Sequence, residues 1–325
     1  MSTFLHQATT LHNQGQLEEA ERLYRAVLAE DPRQPDALAL LGVLRSQRKD
    51  YAEAVAFLNR AVECDPLAAL FRFYLGNVYF DMNDLGRAEA SFREALARLP
   101  SFADAHYRLA LVFEKQKNLK KAADHLCEAA EIQPDNGAAW LKLSELSLKI
   151  KDYAQALKAA EISVQLMPND LAAYIAQALA LDCLDREEEA LAPLQRAVQI
   201  KPYFSEAWDM LGSTYQKLGS LGEAESAFRK AIETANGIIE GENDREVAEE
   251  EYCVHHWNLA LLELLRGDFH HGFAHYRARF KKDGRTPRLP FPQPLWNGED
   301  LAGKKILLVG EQGFGDVLML CRFAP

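Results

Sequence analysis

Six prolines recur along this chain at a strictly constant interval, and that interval constrains the fold more than any other feature. They are Pro32, Pro66, Pro100, Pro134, Pro168 and Pro202, each numbered 34 above the one before. A column of alanines repeats with the same period: Ala20, Ala54, Ala88, Ala122, Ala156, Ala190 and Ala224. Small side chains let paired helices approach closely, and proline ends a helix because it lacks a backbone donor. A period of about 20–50 residues predicts a solenoid of stacked units.

Large apolar residues lie between the small ones at helical spacing. The seventh unit carries the full set: Trp208, Leu211, Gly212, Tyr215, Ala224, Phe228 and Ala231. With these residues the chain resembles tetratricopeptide repeat proteins, whose pattern is Trp-x2-Leu-Gly-x2-Tyr followed by Ala, an aromatic residue, Ala and Pro. The resemblance implies an all-α fold, a right-handed superhelical solenoid of helix pairs.

The period divides the chain into segments. We predict seven units of one period each in 1–238, an acidic insertion in 239–252 and a diverged eighth unit in 253–286. A Pro-rich linker follows in 287–305, and the first βα unit of an incomplete Rossmann-like domain in 306–325. The acidic insertion is interpreted as a solvated segment or a lengthened helix, and the alternative is an acidic docking segment.

The composition excludes several classes of function. The formal net charge of −11 disfavours nucleic-acid partners, because an acidic chain repels phosphate backbones. The chain has no apolar run long enough for a membrane span, and no signal peptide is visible at its start. Its five cysteines lie far apart, which fits a reducing cytoplasm and offers no zinc site.

The first helix of each solenoid unit is expected to line a concave face that binds a protein or peptide. One lining column reads Ala39, Phe73, Tyr107, Leu141, Ile175 and Asp209. Its four apolar or aromatic members in succession predict a partner groove, to which Asn77 and Arg108 also belong. The alternative is that these side chains pack between neighbouring first helices as core. Some proteins of this family hold a terminal carboxylate with a clamp of Lys, Arg and Asn, but Arg108, Lys142 and Asn77 do not form that pattern. Others carry a ladder of asparagines along the groove, and here Asn77 is its single member, so a ladder is not supported.

Histidines are concentrated near the end of the repeats. His271 and His275 are four residues apart, a spacing that places both on one helical face. No neighbouring cysteine or carboxylate completes a typical ligand set in the sequence. A solvated helix surface is therefore the favoured interpretation, and we predict no metal.

The last forty residues have a different character. The run Ile306-Leu-Leu-Val-Gly310 is typical of a buried strand, and a glycine turn and an apolar helix follow it. Phe291-Pro-Gln-Pro-Leu-Trp-Asn-Gly298 and Glu311-Gln-Gly-Phe-Gly-Asp316 resemble bacterial proteins that join tetratricopeptide repeats to a heptosyltransferase-like glycosyltransferase.

That resemblance implies roles for three residues of the glycine turn. Asp316 is the candidate general base, and Gly313 and Gly315 keep the loop open to a ligand or anion. The alternative for Asp316 is an N-cap of the following helix. A sugar nucleotide donor is implied for a longer parent protein. No cofactor is expected in this chain, since one strand and one helix do not make a Rossmann sheet.

We therefore expect an interaction solenoid that recruits or orients a protein partner. It would be the N-terminal arm of a glycosyltransferase that is incomplete and inactive in this chain. The alternative is a free-standing scaffold or assembly factor without catalytic activity.

Overall fold

A computed structural model describes residues 3–240 and 245–276, and within these ranges the chain forms sixteen helices and no strand. They make eight consecutive pairs, α1/α2 to α15/α16, numbered pairs 1 to 8. The first helices are α1 Thr3–Asn13, α3 Pro35–Gln47, α5 Ala69–Asp81, α7 Ala103–Lys115, α9 Gly137–Lys149, α11 Leu171–Asp182, α13 Ser205–Lys217 and α15 Arg245–Leu265. The second helices are α2 Leu17–Glu30, α4 Tyr51–Cys64, α6 Leu85–Arg98, α8 Leu119–Ile132, α10 Tyr153–Leu166, α12 Glu187–Ile200, α14 Leu221–Glu240 and α16 Phe269–Tyr276.

Each helix packs on the next one along the chain, so that every pair is flanked by its neighbours. First helices of adjacent pairs also contact each other; for example, α3 contacts α5, and α9 contacts α11. This nearest-neighbour packing is that of a solenoid, in which each unit buries its apolar face on the next. The predicted all-α solenoid of helix pairs is confirmed.

The turn inside every pair contains one residue with a left-handed backbone. These residues are Gly15, Lys49, Asn83, Lys117, Lys151, Asp185, Gly219 and Gly267, with φ between 55° and 83°. In each turn the amide of the residue after the left-handed one donates a hydrogen bond to the carbonyl five residues earlier. In pair 2, for example, the Asp50 N–H donates to the Arg45 carbonyl at 2.9 Å. This bond satisfies a carbonyl that the helix end would otherwise leave unpaired.

The small residues of the period lie where the two helices of a pair approach most closely. All seven alanines of the column that begins at Ala20 are fully buried. A Cβ atom on Gly76 would lie 2.6 Å from the Phe92 ring, and one on Gly212 would lie 2.7 Å from the Phe228 ring. A larger side chain at these glycines would push the helices apart, which explains why the period keeps them small.

The periodic prolines accept a second recurring bond. In pairs 3 to 7 a side chain of the first helix donates to the proline carbonyl six residues earlier, over 2.6 to 3.3 Å. The donors are Arg72, His106, Trp140, Tyr174 and Trp208. Pair 2 has Leu38 at this position, and there Arg60 donates to the Pro32 carbonyl instead, at 3.1 Å. The bond is therefore preserved although the donor changes.

The junction between pairs 7 and 8 differs from the earlier junctions in helix length and spacing. Helices α14 and α15 have 20 and 21 residues, against 14 or fewer in every earlier helix, and both extend into the acidic segment. The turn glycine Gly267 follows Gly219 by one period plus the length of the inserted segment 239–252. No helix among the described residues is long and apolar enough to cross a membrane. The predicted linker 287–305 and βα unit 306–325 lie outside the described residues.

Candidate partner-binding groove

The predicted lining column lies on successive first helices, but its members differ in exposure. Ala39 is fully buried, whereas Phe73, Tyr107, Leu141 and Ile175 are partly buried. The Phe73 ring lies 4.8 Å from the Phe102 ring and 5.8 Å from the Phe92 ring, measured between centroids. Phe73 and Tyr107 therefore pack on the core with one side and leave the other accessible.

An open cavity of about 460 Å³ lies where the column reaches α11. Most of its lining is apolar, and its walls come from α9, α11 and the residue that precedes α13. The lining residues are Glu145, Leu148, Asp170, Leu171, Ala172, Ile175, Ala176, Leu179 and Phe204. Leu179 is 39% exposed although it is a large aliphatic residue. A cavity of this size and character accommodates an apolar side chain of a ligand.

Charged residues lie beside this cavity and are mutually neutralised. Lys142 Nζ contacts Glu114 at 3.0 Å and Glu145 at 3.5 Å, and Lys149 Nζ contacts Glu114 at 3.2 Å. Burial alone would raise the pKa of Glu114, but hydrogen bonds from Lys142 and Lys149 outweigh it and hold the pKa below its ordinary value. Of these residues Glu145 lines the cavity, so the ion pairs reach one residue of its wall.

The two polar residues predicted for the groove lie on α5 and α7. Asn77 is one turn after Phe73, and its side-chain oxygen is buried and has no hydrogen-bond donor among the described residues. Arg108 is partly buried and follows Tyr107 on α7. They lie on neighbouring first helices of pairs 3 and 4, whereas the cavity lies between pairs 5 and 7. The structure therefore does not bring them to the cavity.

Asp209, the sixth member of the column, has a role that its position in the sequence did not indicate. Asn258 Nδ2 donates to both Asp209 oxygens, at 2.8 and 3.0 Å, and His255 Nδ1 lies 3.1 Å from Asp209 Oδ1. His255 is 2% exposed, and its Nε2 atom has no partner in the described part of the chain. The three residues tie α13 to α15. The three-residue spacing of His255 and Asn258 was the only sequence signal for this cluster.

Each histidine of the pair His271 and His275 contacts a carboxylate. His271 Nδ1 lies 2.8 Å from Asp268, and His275 Nδ1 lies 2.7 Å from Glu263, which is also 3.3 Å from Arg229. Within the ranges that the structure describes, no group of three His, Cys, Asp or Glu side chains is arranged to hold a metal ion. Asp316, Gly313 and Gly315 lie outside those ranges.

Comparison with known proteins finds one family. Two family models, both described as tetratricopeptide repeat, match residues 5–69 with 74–138 and residues 205–237. Together they span about half of the chain. The comparisons give no support to the resemblance to a glycosyltransferase.

Three similar proteins illustrate the relationship. Protein FlbA of Caulobacter vibrioides is 24% identical over 84% of this chain and 50% of its own length. The crystal structure of the C-terminal part of a repeat protein from Cytophaga hutchinsonii has a TM-score of 0.60 at 14% identity, covering 76% of this chain and 98% of that one. YrrB, described as having an unusual peptide-binding site, has a TM-score of 0.52 at 24% identity, covering 59% and 95%. The chain spans 17% to 50% of the curated relatives FlbA, Anaphase-promoting complex subunit 3 of Schizosaccharomyces pombe and human Superkiller complex protein 3.

Proposed function

The chain belongs to the tetratricopeptide repeat family, and from that premise we propose that it holds a protein or peptide partner against the first helices of pairs 3 to 6. The observation that carries this proposal is the open apolar cavity beside Ile175, Leu179 and Phe204. A large aliphatic side chain that remains 39% exposed in such a cavity offers apolar area to a ligand.

The energetics favour one anchoring side chain. Burying a leucine or phenylalanine side chain of the partner contributes about 1.5–3 kcal/mol. The remaining affinity would come from Phe73, Tyr107 and Leu141, whose accessible sides continue the apolar lining towards pair 3. An extended peptide that crosses several first helices contacts all of them.

The experiment selects peptides from a phage-displayed library on the full chain and then compares two variants. Leu179→Asp places a charge in the cavity. Leu166→Asp is the matched control, because Leu166 lies on the second helix α10 and is 40% exposed, against 39% for Leu179. We expect Leu179→Asp to weaken binding of the selected peptides at least tenfold and Leu166→Asp to leave it unchanged. Equal binding by both variants would contradict the proposal, and helical circular dichroism checks that both are folded.

Several finer predictions remain proposals. Residues 253–286 are proposed as an eighth repeat unit, which the left-handed turn at Gly267 and the buried Ala260 support. The right-handed superhelix and the cytoplasmic location rest on the sequence.

The transferase arm also rests on the sequence alone. A parent enzyme with Asp316 as base and a sugar nucleotide as donor is proposed from residues 291–316. The mass of the native protein tests it, because a product near 36 kDa would favour the free-standing scaffold and one nearly twice as large would favour the enzyme.

A further inference from the structure

Six exposed lysines crowd the turn end of pairs 4 and 5 in a chain whose net charge is −11. We name this surface the basic edge, and it consists of Lys115, Lys117, Lys120, Lys121, Lys149 and Lys151. Lys117 and Lys151 occupy the same left-handed turn position in consecutive pairs. Lys149 of pair 5 forms an ion pair with Glu114 of pair 4 at 3.2 Å, so the two turns lie side by side and Lys149 is already neutralised. Lys115 lies over the Phe80 ring, and Asp152 is the exposed carboxylate of the same edge.

Two of these lysines are placed where the backbone favours glycine. Lys117 has φ 61° and Lys151 has φ 64°, whereas pairs 1, 7 and 8 have Gly15, Gly219 and Gly267 at this position. The left-handed region is less favourable for a residue with a Cβ atom than for glycine. Lysine at these turns therefore works against local stability.

Two more lysines oppose the dipole of α8. Lys120 and Lys121 lie in its first turn, which contains no acidic residue. The N-terminal end of a helix carries partial positive charge and is stabilised by carboxylates. Helix α12 shows the favourable arrangement, with Glu187, Glu188 and Glu189 in its first turn. The first turn of α8 therefore carries two positive charges and no compensating carboxylate within the turn.

Acidic turns bound the basic edge on both sides. Asp81 and Asp84 lie at the turn of pair 3, where Arg87 pairs with Asp84. Asp182, Asp185 and the three glutamates of α12 lie at the turn of pair 6, where Lys217 pairs with Asp182 and Arg186 with Glu189, so this turn keeps the larger negative charge. Two pairs at about 10 Å each give a span of about 20 Å. At about 3.3 Å per residue, this length holds about six residues of an extended chain.

We propose that the basic edge binds an acidic segment of a protein partner, about six residues long and rich in Asp and Glu. Carboxylates would neutralise the lysines and supply negative charge to the first turn of α8, which Asn118 caps with a neutral side chain. The acidic turns on either side repel a longer polyanion, and the net negative charge of the chain opposes nucleic acid. None of the six lysines lines the cavity beside Leu179, so the proposal does not depend on that cavity.

The test measures fluorescence anisotropy of a fluorescein-labelled hexaglutamate peptide on the full chain at about 20 mM salt. We expect Lys117→Glu/Lys151→Glu to weaken binding at least tenfold. Lys49→Glu is the matched control, because Lys49 has φ 64° at the same turn position of pair 2. The affinity of this variant for hexaglutamate should differ less than twofold from that of the unmodified chain. Binding should also weaken steeply as salt rises, since exposed charges are screened.

A second variant separates binding from folding. Lys120→Glu/Lys121→Glu removes the charges that oppose the α8 dipole, so it should raise Tm while it weakens binding of hexaglutamate. Three results would overturn the proposal: no binding by the unmodified chain at low salt, equal weakening by Lys49→Glu, or tighter binding of a hexauridylate RNA than of hexaglutamate. Leu179→Asp leaves the basic edge intact, so failure of the groove does not alter these outcomes.

Discussion

Pairs 3 to 5 and pairs 7 and 8 are joined by interfaces of different composition. In the middle of the array Phe92, Leu109, Phe113 and Leu126 form one apolar cluster that continues from pair to pair. At the end Phe228 of α14 and Leu259 and Leu262 of α15 also form an apolar cluster. There the first helices α13 and α15 add a polar contact, in which Asp209 and Asn258 are partly buried and His255 is fully buried. The last junction therefore combines apolar packing with a bonded polar contact.

The difference has consequences for how each region fails. Apolar packing is non-directional and roughly proportional to buried area, so it tolerates changes that preserve volume. A buried polar cluster stabilises only while each member keeps its partner, because an unpaired buried group loses its hydration without replacement. The last junction should therefore be more sensitive to a single polar substitution than the middle of the array.

The largest expected effect is at that junction. Asp209→Ala leaves His255 and Asn258 without their acceptor, and we expect a loss of about 2–4 kcal/mol in the free energy of unfolding of this region. Hydrogen exchange along α13 and α15 measures it. A triple replacement by leucine of Asp209, His255 and Asn258 should recover most of the loss. A loss below about 1 kcal/mol for Asp209→Ala would show that the two junctions do not differ.

A smaller effect is expected inside pair 3. The added Cβ of Gly76→Ala meets the Phe92 ring, and overpacking of this kind costs about 1–3 kcal/mol. Gly86→Ala is the control in the same pair, since its Cβ would meet nothing closer than Asp84 Oδ1 at 3.9 Å. That change should be neutral or stabilise α6 by up to about 1 kcal/mol. Urea unfolding compares them, and equal midpoints would contradict close packing as the cause.

The smallest effect concerns a polar exception within the apolar region. His106 Nε2–H donates to the Pro100 carbonyl, and its Nδ1 lies 3.1 Å from His125 Nδ1. Burial, then the neighbouring His106 and Arg93, lowers the pKa of His125 below its ordinary value of 6.5, while Asp124 and Glu128 act in the opposite direction. Because the unfolded chain then binds the proton more tightly, this contribution is complete above about pH 6.5 and is lost as the pH falls towards the folded pKa.

The measurement is the change in unfolding free energy between pH 7.5 and pH 5.5 for the unmodified chain and for His125→Gln. We expect the variant to lose less on acidification, by no more than about 1 kcal/mol, since His125 is only partly buried. If both proteins lose the same unfolding free energy between pH 7.5 and pH 5.5, His125 is not a source of acid sensitivity.

The sequence predicted the packing of the repeats well because their contacts recur. Ala20 and its six equivalents are buried at every occurrence, and the prolines mark the ends of the second helices. The turn position was less visible. It is glycine in pairs 1, 7 and 8 but lysine, asparagine or aspartate in pairs 2 to 6, so only the backbone angles show that it is one conformation. The side chain that donates to the proline carbonyl also changes type from pair to pair, so the sequence did not show that the bond recurs.

The groove was predicted less completely. Phe73, Tyr107, Leu141 and Ile175 share a column in the sequence, but the period does not tell how much of each side chain its neighbours cover. Asp209 is a member of that column that instead bonds residues 46 and 49 positions later. Such a contact depends on one partner in another pair, and no periodic signal reports it.

By itself the sequence determined the repeat length, the pairing of helices and the small residues at their closest approach, because identical local interactions recur in every period. The tertiary structure decided which apolar side chains stay accessible, that lysines of two pairs share one edge, and that α13 and α15 meet through Asp209. These properties arise between pairs. They depend on distances across the stack, which a one-dimensional period does not contain.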